Sequence, residues 1–124
     1  MLFRKNWSIF KSIGHAFCGI WFAFLNERSM RIHVLATIAA ILFALWLKIG
    51  YLESLIVLLS ISLVWVTELI NTSVEESFNI HSLEKKEQIK IGKDIAAGAV
   101  LIASINALFV GGLIFIPKIL MLLK

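Results

Sequence analysis

Charge is what this chain has least of. Only 16% of its 124 residues are Asp, Glu, Lys or Arg, while 60% are hydrophobic, and mean hydropathy is +0.92. A water-soluble domain of this length carries more charge and less apolar residue than this, so the sequence reads as an integral membrane protein. With Cys18 as its one cysteine, an intrachain disulfide is excluded, and Cys18 reads as a small packing residue. The first residues, MLFRKNWSIFKSIGHAF, lack the continuous apolar stretch and small-residue cleavage site of a signal peptide. Common nucleotide-binding loops are absent as well. Gly92-Lys93 has Glu87 where a GxxxxGK[ST] loop needs its first glycine, Gly14 and Gly19 are followed by Ile20, and there is no GxGxxG. His15, His33 and His81 do not fall at metal-ligand spacing, and His33 reads as an interfacial residue. There is no internal repeat. One domain fits in a chain this short, so any chemistry must come from its helices, its loops or neighbouring copies.

What remains is helix. Trp7, Phe10, Ile13, Phe17, Ile20 and Phe24 recur at steps of three and four, with Arg4, Lys5, Ser8, Lys11, Ser12 and His15 on other faces. That pattern predicts a basic amphipathic surface helix over about residues 5–25. Asn26–Arg31 is a polar turn or break. Apolar runs then predict three spans at about 32–49, 54–78 and 95–116, the first two joined by a very short loop and the last ended by Pro117. Residues 79–92 read as a polar loop or short helix. Gly98, Gly111 and Gly112 read as places of close helix approach or bending. The expected fold is therefore all-α, a single membrane domain of three spans plus the surface helix. Arg4, Lys5, Lys11, Arg28, Arg31, Lys85, Lys86, Lys90 and Lys93 fall on one side of it, and Lys48, Lys118 and Lys124 on the other. The amino terminus and second loop should then be cytoplasmic. The net charge of +4 suits an anionic membrane face better than nucleic acid.

Within the second span lies WVTELINTSVEE, residues 65–76. Glu68, Asn71 and Glu75 stand at i, i+3 and i+7 and share one helix face, with Thr72 beside them and Glu76 rotated off. A carboxylate facing lipid costs about 2.5–3.5 kcal/mol even on the lenient scale, so this face should look inward. Glu75 and Glu76 alone would pass for the cytoplasmic end of a helix; Glu68 lies roughly 10 Å deeper. It serves either a functional site or an interhelical hydrogen bond. Glu27, before the first span, and Lys93-Asp94, before the third, fall at the same interface. Lys93-Asp94 is either a boundary charge pair or a cation for phosphate with an acid that orients it. Two carboxylates from different helices plus a lysine are what Mg²⁺–nucleotide binding requires.

The string ELINTSVEE, with KDIAAGAVLIASI following 18 residues after Glu75 and NERSMRIH ahead of the first span, resembles the small prokaryotic diacylglycerol kinase family from about Phe10 to Ile116. The resemblance implies a homotrimer of three-span protomers in the bacterial cytoplasmic (inner) membrane. It implies transfer of the γ-phosphate of ATP, with Mg²⁺, to a lipid hydroxyl. The product would be phosphatidic acid from diacylglycerol or undecaprenyl phosphate from undecaprenol. By matching position, Glu68 would be the general base at the lipid hydroxyl and Asn71 would sit by the reacting groups. Glu27 and Glu75 would hold Mg²⁺, and Lys93 and Asp94 would engage the nucleotide. Glu84 stands where the family places an acidic nucleotide contact, with Lys86 where a histidine can occur, and His15 where an aromatic nucleotide contact can occur. ERSMRIH and the carboxyl-terminal LIFIPK look closer to the undecaprenol branch. The alternative is a non-catalytic oligomeric membrane protein whose glutamates are interhelical partners or an ion path.

Overall fold

The computed structural model describes residues 8–80 and 86–124, so the expectations placed on Trp7, Arg4, Lys5, His81, Glu84 and Lys85 lie outside the described residues. Among the described residues four α-helices follow one another: α1 (Ile9–Asn26), α2 (Arg28–Leu47), α3 (Tyr51–Ile80) and α4 (Lys86–Leu122). Among the described residues there is no strand. The helices α2, α3 and α4 are each long and apolar enough to cross a membrane. At 1.5 Å per residue α2 is about 30 Å long, α3 about 45 Å and α4 about 55 Å, so α3 and α4 exceed a hydrocarbon layer of about 30 Å.

The boundaries of α1, the start and end of α2 and the start of α3 have local causes. Ser8 caps α1 by accepting from the Lys11 N–H at 3.3 Å. At the other end of α1 the Glu27 N–H reaches the Ala23 carbonyl at 2.8 Å. The Arg31 guanidinium, in the first turn of α2, donates to the carbonyls of Phe24 and Leu25 at 3.0 and 2.9 Å. A cation on the last carbonyls of a helix complements its dipole, so Arg31 fixes the corner between α1 and α2. The break expected across Asn26–Arg31 is thus confined to Glu27. Lys48 ends α2 in the left-handed conformation, φ 52° and ψ 55°. The Gly50 N–H then donates to Glu53 Oε1 at 3.1 Å, half of a capping box that starts α3 three residues earlier than expected.

Pro117 does not end α4, which runs on to Leu122. One proline near a helix end removes a single backbone bond. The following turn is held instead by Lys118, whose Nζ lies 3.1 Å from Glu53 Oε1 at the start of α3.

The most extensive pairing is α3 along α4; α2 packs on both, and α1 on α2 and α3. The buried stripe of α3 is Val57, Ser60, Val64, Glu68, Asn71 and Thr72. Its steps of three and four keep it on one face, apolar at one end and polar at the other. Large apolar residues on the outer faces, such as Leu35, Leu42, Leu101, Leu108 and Leu113, are exposed in the protomer, as lipid or another copy requires. The glycines depart from expectation. A Cβ on Gly98 meets nothing within 4 Å, and on Gly111 or Gly112 only a side chain of the same helix at 3.8 Å. The close approach is at Gly92, where a Cβ would stand 2.7 Å from the Phe78 ring of α3.

Candidate functional site

The polar end of the α3 stripe meets the α1–α2 corner. Glu68 is 2% exposed, among the most buried side chains in the protomer. Asn71 and Thr72 are buried beside it, Glu75 is half-buried and Glu76 is exposed. The helix itself satisfies part of this face, since Thr72 Oγ1 donates to the Glu68 carbonyl at 3.0 Å. Asn71 Nδ2 points at Glu75 Oε1 at 3.5 Å, the outer limit of a hydrogen bond. The Asn71 Oδ1 is buried without a partner among the described residues. An unpaired buried acceptor costs about 1–3 kcal/mol, which makes this oxygen a receptor for a donor or a cation.

Glu27 enters from the corner. It occupies the cap of α2, yet its side chain makes no capping bond, so the carboxylate is left for other work. Burial first, and then the negative charges of Glu75 and Glu76, push this carboxyl above its ordinary range, with Arg31 pulling the other way. Glu27 and Glu75 both act electrostatically on Glu68. The structure therefore puts Glu27 within electrostatic reach of Glu68 and Glu75, with Asn71 between those two on α3. Among the described residues no three His, Cys, Asp or Glu side chains converge as a ready metal site. Two like-charged carboxylates with an unpaired amide oxygen nonetheless suit a cation that completes its shell from another source.

The other anticipated residues are dispersed. Lys93 Nζ donates to Asn79 Oδ1 at 3.1 Å, which ties α4 to the last turn of α3 one turn past Glu75. Asp94 does not orient Lys93. Its carboxylate pairs with Lys90 at 2.8 Å, and its side chain is 64% exposed. The i, i+4 spacing on one helix favours that pair. His15 lies on the exposed surface of α1. Glu84 lies outside the described residues.

Two partners of the site carry no signal in the spacing of residues. His33, on α2, faces inward rather than the interface, with its Nε2 3.6 Å from Glu68 Oε2. One turn deeper, Trp65 Nε1 donates to Thr37 Oγ1 at 2.8 Å, and that hydroxyl donates to the His33 carbonyl at 2.7 Å. Both contacts join α2 to α3, and helical periodicity leaves open the rotation of one helix against another. Beneath them a cavity of about 320 Å³ opens between α2, α3 and α4, lined by His33, Ala36, Val57, Ser60, Ala107 and Gly111 among others. A second recess of about 440 Å³ separates α1 from α3, with Gly19, Ala23, Leu69, Thr72 and Glu76 on its walls.

Known proteins resemble this chain along most of its length. Residues 14–115 match the family described as prokaryotic diacylglycerol kinase. A diacylglycerol kinase of Synechocystis sp. is 35% identical over 126 residues, 97% of this chain and 72% of the relative. An undecaprenol kinase of Bacillus subtilis is 33% identical over 110 residues, 89% of each chain. A diacylglycerol kinase of Escherichia coli K12 is 30% identical over 99 residues, 80% of this chain and 81% of the relative. An inward-facing acidic stripe on a membrane helix, and a family match that contains all of it, lead to one conclusion: the chain belongs to the prokaryotic diacylglycerol kinase family and is a lipid kinase.

Proposed function

We propose that this protein transfers the γ-phosphate of ATP to the hydroxyl of a membrane lipid, diacylglycerol or undecaprenol, with Mg²⁺ as the accompanying cation. The observation that carries the reading is the depth gradient on α3: Glu68 fully buried, Glu75 seven residues nearer the end of the helix and half-buried, with Asn71 between them. A lipid hydroxyl approaches from the membrane and a nucleotide from water, so a phosphoryl transfer site needs one group at each level.

Glu68 is the general base. It takes the hydroxyl proton as the lipid oxygen attacks the γ-phosphorus and the bond to ADP breaks. Glu27 and Glu75 hold Mg²⁺, with the unpaired Asn71 Oδ1 facing the reacting groups. The cation, when bound, offsets phosphate charge, which is most of what phosphoryl transfer asks of a protein. Lys93 is tied to α3 through Asn79 and sits on the nucleotide side, where a lysine offsets phosphate charge as a point charge. Asp94, Glu84 and His15 are the outer nucleotide contacts. The lipid and the phosphates supply the rest of the shell, and neighbouring copies in a homotrimer close the site from the exposed side. The excess of Lys and Arg in the amino-terminal segment and in residues 85–93 supports a cytoplasmic location for both, in the bacterial inner membrane.

The test is a detergent-micelle assay with ATP and Mg²⁺, run with diacylglycerol and with undecaprenol. Phosphatidic acid or undecaprenyl phosphate supports the reading and names the acceptor. No ATP consumption with either lipid returns the glutamates to a structural or ion-conducting role.

A further inference from the structure

Phosphorylation of an alcohol by ATP at neutral pH releases one proton per turnover. If Glu68 receives that proton, it must also lose it, and its side chain is only 3% exposed. Among the described residues no lysine or arginine comes within 4 Å of its carboxylate; the basic group that does is His33, whose Nε2 stands 3.6 Å from Oε2 and whose side chain is 17% exposed. This separation is a few tenths of an ångström longer than a hydrogen bond. It lies within the looseness of a catalytic contact before substrate binds.

The surroundings hold His33 in that place. Its carbonyl accepts from Thr37 Oγ1, and the same hydroxyl accepts from Trp65 Nε1. Trp65 and Glu68 are three apart on α3, and His33 and Thr37 four apart on α2, so two cross-links one turn apart set the register of the helices. Thr37 uses its hydroxyl within this clamp, and Ser60 Oγ, lower on the same cavity wall, accepts from Asn106 Nδ2 at 3.4 Å. The ring of His33 is therefore the titratable group between Glu68 and the cavity below. The α4 helix adds no charge at this depth, since residues 95–116 are uncharged.

We propose that His33 is a positioning residue for Glu68 and the outlet for its proton. The inference rests on the kinase reading above. The lipid O–H bond breaks as its oxygen bonds to the γ-phosphorus. The bond from that phosphorus to the ADP oxygen breaks, and its electron pair leaves with ADP. The proton passes to Glu68 Oε2 and then to His33 Nε2. This restores the carboxylate and leaves an imidazolium that gives the proton to water.

The experiment compares full-length wild type, His33→Gln, His33→Ala and Glu68→Gln in micelles with ATP, Mg²⁺ and the preferred lipid, with and without added imidazole. Gln keeps an N–H beside Glu68 and accepts no proton. We expect kcat to fall about 100-fold in both His33 variants, as for loss of a proton-transfer group, with KM for ATP and lipid within about twofold. Imidazole should restore a good part of the His33→Ala rate and none of the Glu68→Gln rate. A His33→Gln kcat within threefold of wild type overturns the proposal. So does a variant whose loss lies in lipid KM alone, which would make His33 a wall of the lipid site. An imidazole response shared by Glu68→Gln overturns it as well. An inactive wild type sinks the kinase reading itself, and an active wild type with an unaffected His33→Gln sinks only this inference.

Discussion

Replacing Glu68 by Gln separates what this carboxylate does for chemistry from what it does to the fold. The two side chains have nearly the same shape, so the buried stripe of Val57, Ser60, Val64, Asn71 and Thr72 stays packed. The Thr72 bond to residue 68 survives, because it goes to the main-chain carbonyl. What disappears is a charge buried at 2% exposure beside two other glutamates. Removing an incompletely paired buried charge is neutral or favourable for stability, so the thermal midpoint in micelles should stay level or rise. Activity should go the other way. Loss of a general base costs about 10²–10⁴-fold, or about 3–5 kcal/mol in the barrier, while ATP affinity stays within a few-fold because Glu27 and Glu75 remain. The assay pairs lipid-dependent ADP release with nucleotide binding and thermal unfolding of the same preparation. Turnover within tenfold of wild type would refute the base assignment. A lowered midpoint with lost activity would refute the separation, and place Glu68 among the groups that hold the helices together.

Three further outcomes follow from other parts of the molecule. Because the Glu27 carboxyl is raised above 4.5 in the folded protein, the native state binds its proton more tightly than the unfolded chain does. Its contribution to stability is then greatest below pH 4.5 and is lost as pH rises through the folded value. The midpoint of Glu27→Gln should be flatter over that window and higher at neutral pH, and an unchanged slope would remove Glu27 from the acidic cluster. Gly92→Ala gains helix propensity of about 1 kcal/mol but forces the Phe78 ring to move. In a Phe78→Ala background the same substitution should become stabilising; a double-mutant cycle with no coupling would show that the helices do not touch there. Lys48 holds a left-handed backbone at a cost of about 1–2 kcal/mol. Lys48→Gly should therefore melt above Lys48→Ala with unchanged kinase activity, and the reverse order would deny the conformation.

The acidic face was legible because it combines two strong constraints. A helix period fixes which residues share a side, and lipid forbids that side from facing outward, so Glu68, Asn71 and Thr72 had to be buried and Glu76 did not. The caps were not read: Ser8 falls inside the expected surface helix and Glu53 ahead of the expected second span, although both make cap bonds. Pro117 misled because its local penalty is small near a helix end, and an ion pair with a different helix holds the turn beyond it. The glycines misled for the opposite reason. A row of small residues permits close approach from any neighbour, and among the described residues the neighbouring helix that comes close does so at Gly92.

His33 shows why half of a site such as this lies beyond periodicity. On α2 it is one polar residue at the head of an apolar run, and nothing in its own helix singles it out. Its role comes from the rotation of α2 against α3, and that rotation is set by the corner at Glu27 and by the Trp65–Thr37 bond. The corner depends in turn on Arg31, which holds the last carbonyls of α1 from the first turn of α2. By closing the α1–α2 corner, Arg31 sets where Glu27 stands relative to Glu75 and Glu76 and starts α2 in the register that brings His33 to Glu68. On the proposed reading, an uncharged substitution of Arg31 should therefore weaken metal dependence and turnover together, as a Mg²⁺ titration of lipid-dependent ADP release would read.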